Sequence, residues 1–360
     1  MKLYFVLDGS QKTGSCGERV HTGKMAAALR DAGAEIVTDI DGEYDFAVSI
    51  TPPLQFEPVA GRRNIVFTMT ETDGLIEKVH GSRLAEAELV IVPTEFSTRV
   101  FSRYFPGPFE VCPEGVNPRE MPYVSRSEPD PDEPFRFLSV SAANGRKGLT
   151  YLWQAWRLWH NTGRMPQNVE WVLKIAPDPA FPEPGYIERV DSTRITIDSR
   201  DLDRAAIFGL YRDAHAFVCP TEGEGWGLPL LEAESTGLPS IYTKFSALAD
   251  WPDHSAGYPL TRFAMVPDSV HRDDLDMDVS DFGREGIRSV PSMYPPGYGG
   301  YSDAFSAQAD PLEIMLNMMA IYRNYPEALE RGRRASEYVR GNLTWEKAAV
   351  RFLDICKKYA

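Results

Sequence analysis

The residues best suited to chemistry lie in one segment, Pro220-Thr-Glu-Gly-Glu-Gly-Trp-Gly-Leu-Pro-Leu-Leu-Glu232. The apolar run Ala216–Cys219 before it predicts a strand, and a helix is predicted to begin at Leu228 or Pro229, since proline suits a first helical position. The turn between them carries three glycines, Gly223, Gly225 and Gly227. Backbone N–H groups of such a bare turn can approach a ligand closely. A strand, a glycine turn and a helix N-terminus together predict an anion site.

Two carboxylates accompany this turn, Glu224 within it and Glu232 in the predicted helix. Neither suits direct contact with a phosphate, because like charges repel. Carboxylates instead accept hydrogen bonds from hydroxyl groups, which a ribose and a hexose both present. The pattern therefore favours a nucleoside-diphosphate sugar over ATP. The alternative is that both glutamates are exposed and the glycines only turn the chain.

The composition of the 360-residue chain is that of a globular protein, and its length suits two domains. The formal net charge of −14 argues against broad binding to a nucleic-acid backbone, which requires clustered lysines and arginines. Four cysteines without CxxC spacing favour reduced thiols over disulfides or a zinc site. The apolar start is too short for a signal peptide, and no run approaches a membrane span. A soluble, cytoplasmic protein is expected.

Strand-like and helix-like patterns alternate along the first third of the chain. The predicted strands are Leu3–Leu7, Glu35–Ile40, Phe46–Ile50, Asn64–Met69, Leu89–Val92 and Phe109–Cys112. The predicted helices are Glu18–Asp31, Leu75–Glu86 and Ser97–Tyr104. This alternation indicates an α/β fold with a doubly wound parallel sheet of the Rossmann type.

The alternation restarts after Ser125–Pro134, a polar segment whose composition predicts a linker. The second set of predicted strands is Phe135–Val140, Val169–Ile175, Arg194–Ile197, Ala216–Cys219 and Ser240–Thr243. Two such units face each other across a cleft, and ligands favour the carboxyl ends of parallel strands.

The alternation of strand-like and helix-like patterns stops over residues 250–311. This stretch is rich in Pro, Gly, Tyr and Asp, which predicts a long insertion. The helices predicted after it are Leu312–Tyr322, Pro326–Arg340 and Thr344–Tyr359. The expected division is a first domain over 1–125, a linker over 126–134, a second domain over 135–343 and a last helix over 344–360.

The segment from Cys219 to Ser240 resembles the signature of the retaining GT-B glycosyltransferases of family 4, also called group 1. Glu224 and Glu232 match the glutamates of that family's Glu-x7-Glu motif. The resemblance implies that Glu224 contacts the donor sugar and that Glu232 contacts the ribose. It also implies that four donor-binding residues lie beside the sugar and phosphates: Gly225, Trp226, Gly227 and Leu228.

Further motifs extend the resemblance over most of the chain. Asn144–Leu149 is similar to the family's Arg-Lys-Gly element, and Val92–Ser97 and Pro113–Pro118 are similar to elements that end its first domain. Residues 331–346 resemble its C-terminal helices. In GT-B proteins the last helix crosses back onto the first domain, a role implied here for residues 344–360.

Lys147, with Arg146 beside it, matches the family's cation for the leaving diphosphate. The alternative is a solvated basic turn before the next helix. Many members also carry an arginine five or six residues before this lysine, where this chain has Ala142 and Ser141. Either Arg146 compensates for that arginine, or the diphosphate is held differently.

The first domain contributes weaker candidates. Gly14 and Gly17 lie between the first predicted strand and helix, where family members carry a glycine-rich loop close to donor and acceptor. Glu71, in Thr70–Asp73, matches a subgroup that has glutamate where many relatives have histidine. The implied role of Glu71 is to orient the acceptor or to stabilise an oxocarbenium charge. A helix-capping cluster is the alternative.

These motifs predict a retaining transfer of a sugar from a nucleoside diphosphate to an acceptor hydroxyl, with no cofactor besides the donor substrate and no metal. The triplets Asp201–Asp203 and Asp276–Asp278 are expected by chance among so many aspartates. The residues after Asp274 have EF-hand spacing, but Val279 replaces the required glycine. The acceptor stays open between a glycan, a lipid-linked sugar, a small molecule and a modified nucleic acid.

Three rival functions are compatible with the same residues. The first is a sugar-nucleotide epimerase of the same fold, and the second is a non-catalytic carbohydrate-binding relative. The third is an enzyme of phage type that glycosylates modified DNA bases. A basic groove in the first domain would favour the third, and its candidate residues are Arg62, Arg63, Arg83, Arg99 and Arg103.

Overall fold

The computed structural model describes residues 1–6, 16–75, 83–142, 145–176, 194–251, 256–267 and 304–360. Within these ranges the chain forms two six-stranded parallel sheets and one two-stranded antiparallel sheet. Helices cover the parallel sheets, so strands buried on both faces read as nearly continuous apolar runs. The predicted α/β class, with two doubly wound sheets, is confirmed.

The first sheet has the strand order β2-β1-β3-β4-β5-β6. Its strands are β1 (Lys2–Phe5), β2 (Glu35–Val37), β3 (Phe46–Ile50), β4 (Asn64–Phe67), β5 (Leu89–Val92) and β6 (Phe109–Val111). Its helices are α1 (Cys16–Asp31) and α2 (Glu95–Phe101). Ile65 and Phe67 of β4 join one core cluster while Val66 joins another, as the two-residue period of a strand requires. Of the predicted helix over 75–86, residues 76–82 lie outside the described ranges, and Arg83–Glu86 form a 3-10 turn.

The second sheet has the strand order β12-β11-β10-β7-β8-β9. Its strands are β7 (Phe135–Ala142), β8 (Val169–Ala176), β9 (Ile195–Asp198), β10 (Ala216–Cys219), β11 (Ser240–Thr243) and β12 (Tyr258–Leu260). Its helices are α3 (Leu149–Asn161), α4 (Arg204–Asp213), α5 (Leu228–Ser235), α6 (Ala247–Asp250), α7 (Pro311–Arg323) and α8 (Tyr325–Asn342). The strand order reverses between β7 and β10. Such a switch point opens a crevice at the carboxyl ends of the two strands.

The last helix, α9 (Trp345–Tyr359), packs on the first sheet. Its apolar residues share a core with Leu3 and Phe67, and Thr344 caps its first turn by accepting from the backbone N–H of Lys347. Gly115 lies against the start of this helix, where a Cβ atom would come within 2.1 Å of the Trp345 nitrogen. The chain therefore returns to the first domain at its end.

The described parts of the stretch over 250–311, residues 250–251, 256–267 and 304–311, are more regular than their composition predicts. Tyr258–Leu260 adds β12 to the edge of the second sheet, where the proline at 259 is tolerated. The strands β13 (Phe263–Pro267) and β14 (Phe305–Ala309) pair antiparallel, and residues 268–303 lie outside the described ranges. Strand β14 touches both domains, because the Asp73 N–H donates to the Phe305 carbonyl at 2.9 Å and the Ala307 N–H donates to Glu222 at 2.9 Å.

Candidate active site

The turn between β10 and α5 carries the predicted motif. Strand β10 ends at Cys219 and α5 begins at Leu228, after Gly227 at φ 100°. Gly237, at φ 84°, follows the end of this helix. Because β10 lies beside β7 at the switch point, this turn meets the segment that follows β7.

Lys147 and Glu224 form a buried ion pair where these two segments meet. Lys147 lies in a 3-10 turn after β7, and its Nζ atom lies 2.7 Å from Oε1 of Glu224. Their side chains are only 14% and 9% exposed. Gly148, at φ 65°, permits the close approach, since a Cβ atom there would lie 1.8 Å from the Pro220 carbonyl oxygen. The alternative of a solvated basic turn at Lys147 is therefore wrong, because this lysine is largely buried and paired with Glu224.

Arg146 connects this pair to the first domain. Its Nη2 atom lies 2.6 Å from Oε1 of Glu71, in the loop after β4. Its Nη1 atom lies 3.6 Å from Oε2 of Glu224 and donates to the Gly223 carbonyl. Glu71 thus reaches across the cleft. The structure assembles the predicted catalytic residues and Arg146 in one network.

The charges of this network set the ionisation of Glu224. Burial alone would favour the neutral acid, but the ammonium of Lys147 and the guanidinium of Arg146 outweigh it and lower the pKa of Glu224. Burial also raises the pKa of the neighbouring Cys219 thiol to about 12, so this thiol is a neutral group rather than a nucleophile. The site accordingly consists of two cations held by the carboxylates of Glu224 and Glu71, and the low pKa of Glu224 keeps that group ionised.

The glycines of the turn serve a second purpose besides leaving it bare. A Cβ atom on Gly223 would lie 1.9 Å from the Glu71 carbonyl oxygen, and one on Gly225 would lie 2.2 Å from Sδ of Met69. The first domain therefore packs directly on the turn. Among the described residues, no acceptor bonds the N–H groups of three successive turn residues, Gly225, Trp226 and Gly227. The Trp226 side chain itself belongs to the core, with its ring centroid 5.4 Å from that of Trp251.

Glu232 lies in a separate network on α5. Its Oε1 atom lies 2.6 Å from Nη2 of Arg204, and its Oε2 atom accepts from the Tyr211 hydroxyl at 3.2 Å. Arg204 also pairs with Glu120 at 3.3 Å, and Glu120 pairs with Lys24 of α1. The sequence did not point to Arg204 or Tyr211. Both lie on α4, where only the helical period marks one face, and that period does not reveal which side chain reaches Glu232.

Comparison with known proteins finds a family match over part of this chain. Residues 134–269, which include Glu224 and Glu232, match the family model described as Glycosyl transferases group 1. The matched domain belongs to the group 1 glycosyltransferases. A search of curated protein sequences finds no match to this chain.

Solved structures share the fold of this glycosyltransferase along nearly its whole length. Sucrose-phosphate synthase from Thermosynechococcus elongatus is 15% identical, with 99% of this chain and 98% of that chain covered and a TM-score of 0.65. WaaG, a glycosyltransferase involved in lipopolysaccharide biosynthesis, is 12% identical, with 99% of each chain covered and a TM-score of 0.59. A UDP-forming α,α-trehalose-phosphate synthase from Burkholderia xenovorans is 12% identical, with 93% and 77% covered and a TM-score of 0.58. The predicted GT-B fold is confirmed.

The remaining predicted positions of the glycosyltransferase fall outside these two networks. Gly14 lies outside the described residues, and Gly17 lies in the first turn of α1. Ser141 and Ala142 end strand β7, so the guanidinium present at this site is that of Arg146. Ser141 lines a small cavity with Lys147, Cys219 and Glu224.

The arginines of the candidate basic groove are engaged within the protein. Four form ion pairs, namely Arg63 with Glu88, Arg83 with Glu57 and Glu86, Arg99 with Asp250, and Arg103 with Asp73. Arg62 lies 4.6 Å from the centroid of the Tyr44 ring. This arrangement gives no support to a nucleic-acid groove.

The acidic triplets do not form a metal centre in the described ranges. Asp203 caps α4 by accepting from the Ala206 N–H, and Asp276–Asp278 lie outside the described residues. Across the described chain, no group of three His, Cys, Asp or Glu residues is placed to hold a metal ion. No helix in those ranges has the length and apolarity needed to cross a bilayer.

Proposed function

We propose that this glycosyltransferase moves a sugar from a nucleoside diphosphate to an acceptor hydroxyl, with retention at the anomeric carbon and without a divalent metal. The observation that carries the proposal is the meeting of Lys147, Arg146 and Glu224 at the switch point of the second sheet. Glu232 lies on the helix that begins directly after this turn.

The carboxylates that hold the two cations stand where a diphosphate would bind. Lysine and arginine bind phosphate oxygens as they bind carboxylate oxygens, through charge-assisted hydrogen bonds. Donor binding then replaces Glu224 on Lys147, and Glu71 on Arg146, by phosphate oxygens. The N–H groups of Gly225, Trp226 and Gly227 add donors at a helix N-terminus, which suits an anion.

Each released carboxylate has a hydroxyl to accept from. Glu224 binds hydroxyls of the donor sugar, and Glu71 faces the acceptor from the first domain. Glu232 binds the ribose diol while Arg204 and Tyr211 hold its carboxylate in place. This division keeps negative side chains away from the phosphates, where they would be repelled.

In the proposed reaction, the bond between the anomeric carbon and the leaving phosphate oxygen breaks while the acceptor oxygen bonds to the same face of the sugar. The acceptor hydroxyl passes its proton to the departing phosphate oxygen, so no side chain has to act as a nucleophile. Lys147 and Arg146 stabilise the charge that develops on the diphosphate. Their two positive charges supply what a divalent cation would otherwise supply.

The names of the structural relatives suggest the first substrates to test. One relative is a UDP-forming trehalose-phosphate synthase, solved with glucose 6-phosphate. UDP-sugars are therefore the first donors, followed by GDP-, ADP- and dTDP-sugars, in a thermal-shift screen. For the donor that stabilises the protein, release of nucleoside diphosphate is measured with and without EDTA. Activity that depends on an added metal would contradict the metal-free reaction.

Two further assays test the transfer and its stereochemistry. NMR of the isolated product gives the anomeric configuration, which should equal that of the donor. Incubation with donor alone separates the epimerase, because an epimerase converts the donor to its epimer without an acceptor. Appearance of that epimer would contradict sugar transfer as the function.

A further inference from the structure

Ser246 has a backbone conformation that L residues rarely adopt. Its φ is 53° and its ψ is −133°, and within the described ranges it is the one non-glycine residue with positive φ. The residue lies in the loop between β11 and α6 and is 0% exposed. Backbone strain of this kind persists only where the surroundings impose it, and it concentrates at functional sites.

The Ser246 hydroxyl holds the backbone of Glu224 at both of its polar atoms. Its Oγ atom accepts from the Glu224 N–H at 2.7 Å and donates to the Glu224 carbonyl at 3.0 Å. Serine before a helix ordinarily caps that helix, yet the Ser246 side chain makes no capping bond to α6. The hydroxyl bonds the backbone of Glu224 in the neighbouring turn instead.

Glu224 needs such support because of its neighbours in the chain. Gly223 and Gly225 flank it, and glycine is the least restricted residue of the backbone. The loop that carries Ser246 is itself anchored, since Asp250 accepts from the Phe96 N–H and lies 3.0 Å from Nη2 of Arg99 in the first domain. The Ser246 hydroxyl is therefore held in place to fix the backbone of Glu224 between its two flanking glycines.

We propose that Ser246 is a positioning residue that fixes the carboxylate of Glu224 against the donor sugar, and that its strained backbone is the cost of placing the hydroxyl there. This inference rests on the proposed role of Glu224 in sugar transfer. A glycine at 246 would relieve the strain but would release the Glu224 backbone. An alanine would release it and keep the strain.

The test compares Ser246→Gly and Ser246→Ala with the wild type and with Glu224→Gln. Three quantities are measured: kcat for nucleoside-diphosphate release, the Kd of the nucleoside diphosphate that the wild type binds, and the urea midpoint of unfolding. Ser246→Gly should lower kcat on the order of 10- to 100-fold, since a misplaced group has that effect. The Kd should change much less than kcat, because Glu224 itself contacts the sugar and its backbone affects the nucleotide only through the neighbouring N–H groups of the turn. The urea midpoint of Ser246→Gly should exceed that of Ser246→Ala, since glycine suits positive φ.

Two outcomes overturn this inference. One is a wild-type kcat in Ser246→Gly, and the other is a Kd that weakens in proportion to kcat, which marks a purely structural role. Loss of activity in Glu224→Gln together with a wild-type kcat in Ser246→Gly refutes the positioning role alone. A wild-type kcat in Glu224→Gln refutes the proposed site itself.

Discussion

Oε1 of Glu224 lies 2.7 Å from Nζ of Lys147, although the two residues are 77 positions apart in the chain. They meet because β7 and β10 are neighbours in the sheet and each strand ends at the same edge. The cation that would stabilise a leaving diphosphate is thus already held by a carboxylate. In the proposed reaction, donor binding exchanges one anionic partner of Lys147 for another.

Replacing Lys147 by methionine removes this charge while keeping much of the side-chain volume. We expect kcat/KM for the donor to fall on the order of 10²- to 10³-fold, as loss of a group that stabilises transition-state charge does elsewhere. Lys357→Met is the control, because Lys357 is 66% exposed and pairs with Asp354 in the last helix. Equal kcat/KM values in the two variants would exclude Lys147 from the reaction.

Gly223→Ala tests the contact between the domains. The added Cβ atom would lie 1.9 Å from the Glu71 carbonyl oxygen, so the turn or the first-domain loop has to move. We expect kcat/KM to fall by about 100-fold, because displacement of a reacting group by about 1 Å has that effect. Gly209→Ala in α4 is the matched control, since among the described residues its added Cβ would meet nothing within 4 Å beyond its own stretch of helix. Full activity in Gly223→Ala would show that this contact is not needed for turnover.

Arg204→Gln tests the support of the ribose-binding carboxylate. Without its ion pair, Glu232 loses orientation, and we expect the donor KM to rise about tenfold, equivalent to about 1.4 kcal/mol. The kcat should stay close to that of the wild type, since the ribose is remote from the reacting bond. Arg212→Gln on the same helix is the control, because Arg212 pairs with exposed Asp213. A fall in kcat at unchanged KM would assign Arg204 to the chemical step instead.

We expect the protein to lose stability in mild acid, because the side chain of His215 is buried. Burial, with the charges of Arg136 and Arg126, lowers its pKa from 6.5 to about 4 in the folded protein. Below pH 6.5, His215 is therefore protonated in the unfolded chain but stays neutral in the folded protein. As the pH falls from 6.5 to about 4, this difference lowers the free energy of unfolding. Urea midpoints across this range should fall less in His215→Asn, which does not titrate. Parallel curves for the two proteins would refute this cause.

Local sequence patterns were sufficient to predict the central strands of the two sheets but not the edge strand β12. Phe46–Ile50, Leu89–Val92 and Ala216–Cys219 have the predicted bounds, because short apolar runs between turn residues are typical of buried parallel strands. Tyr258–Leu260 escaped prediction because three residues with a central proline show no strand pattern. These residues form a strand because they pair with β11 in the folded sheet.

The candidate site divides in the same way. Lys147 and Glu224 were predictable since each belongs to a motif with its own glycines. The pairing of Glu232 with Arg204 depends on how α4 and α5 face each other, which no local pattern encodes. Ser246 shows the same limit, because serine before a helix predicts a cap, whereas packing against Glu224 imposes the positive φ.

The central claim is that this site transfers a sugar from a nucleoside diphosphate. Its most direct test is to measure the release of nucleoside diphosphate from a panel of sugar nucleotides by the wild type and by Glu232→Ala. The wild type should release the nucleoside diphosphate from at least one donor. Glu232→Ala should require a donor concentration at least about tenfold higher for the same rate, as loss of hydrogen bonds to a charged group predicts. Absence of release from every donor, or an unchanged donor KM in Glu232→Ala, would contradict nucleotide-sugar transfer at this site.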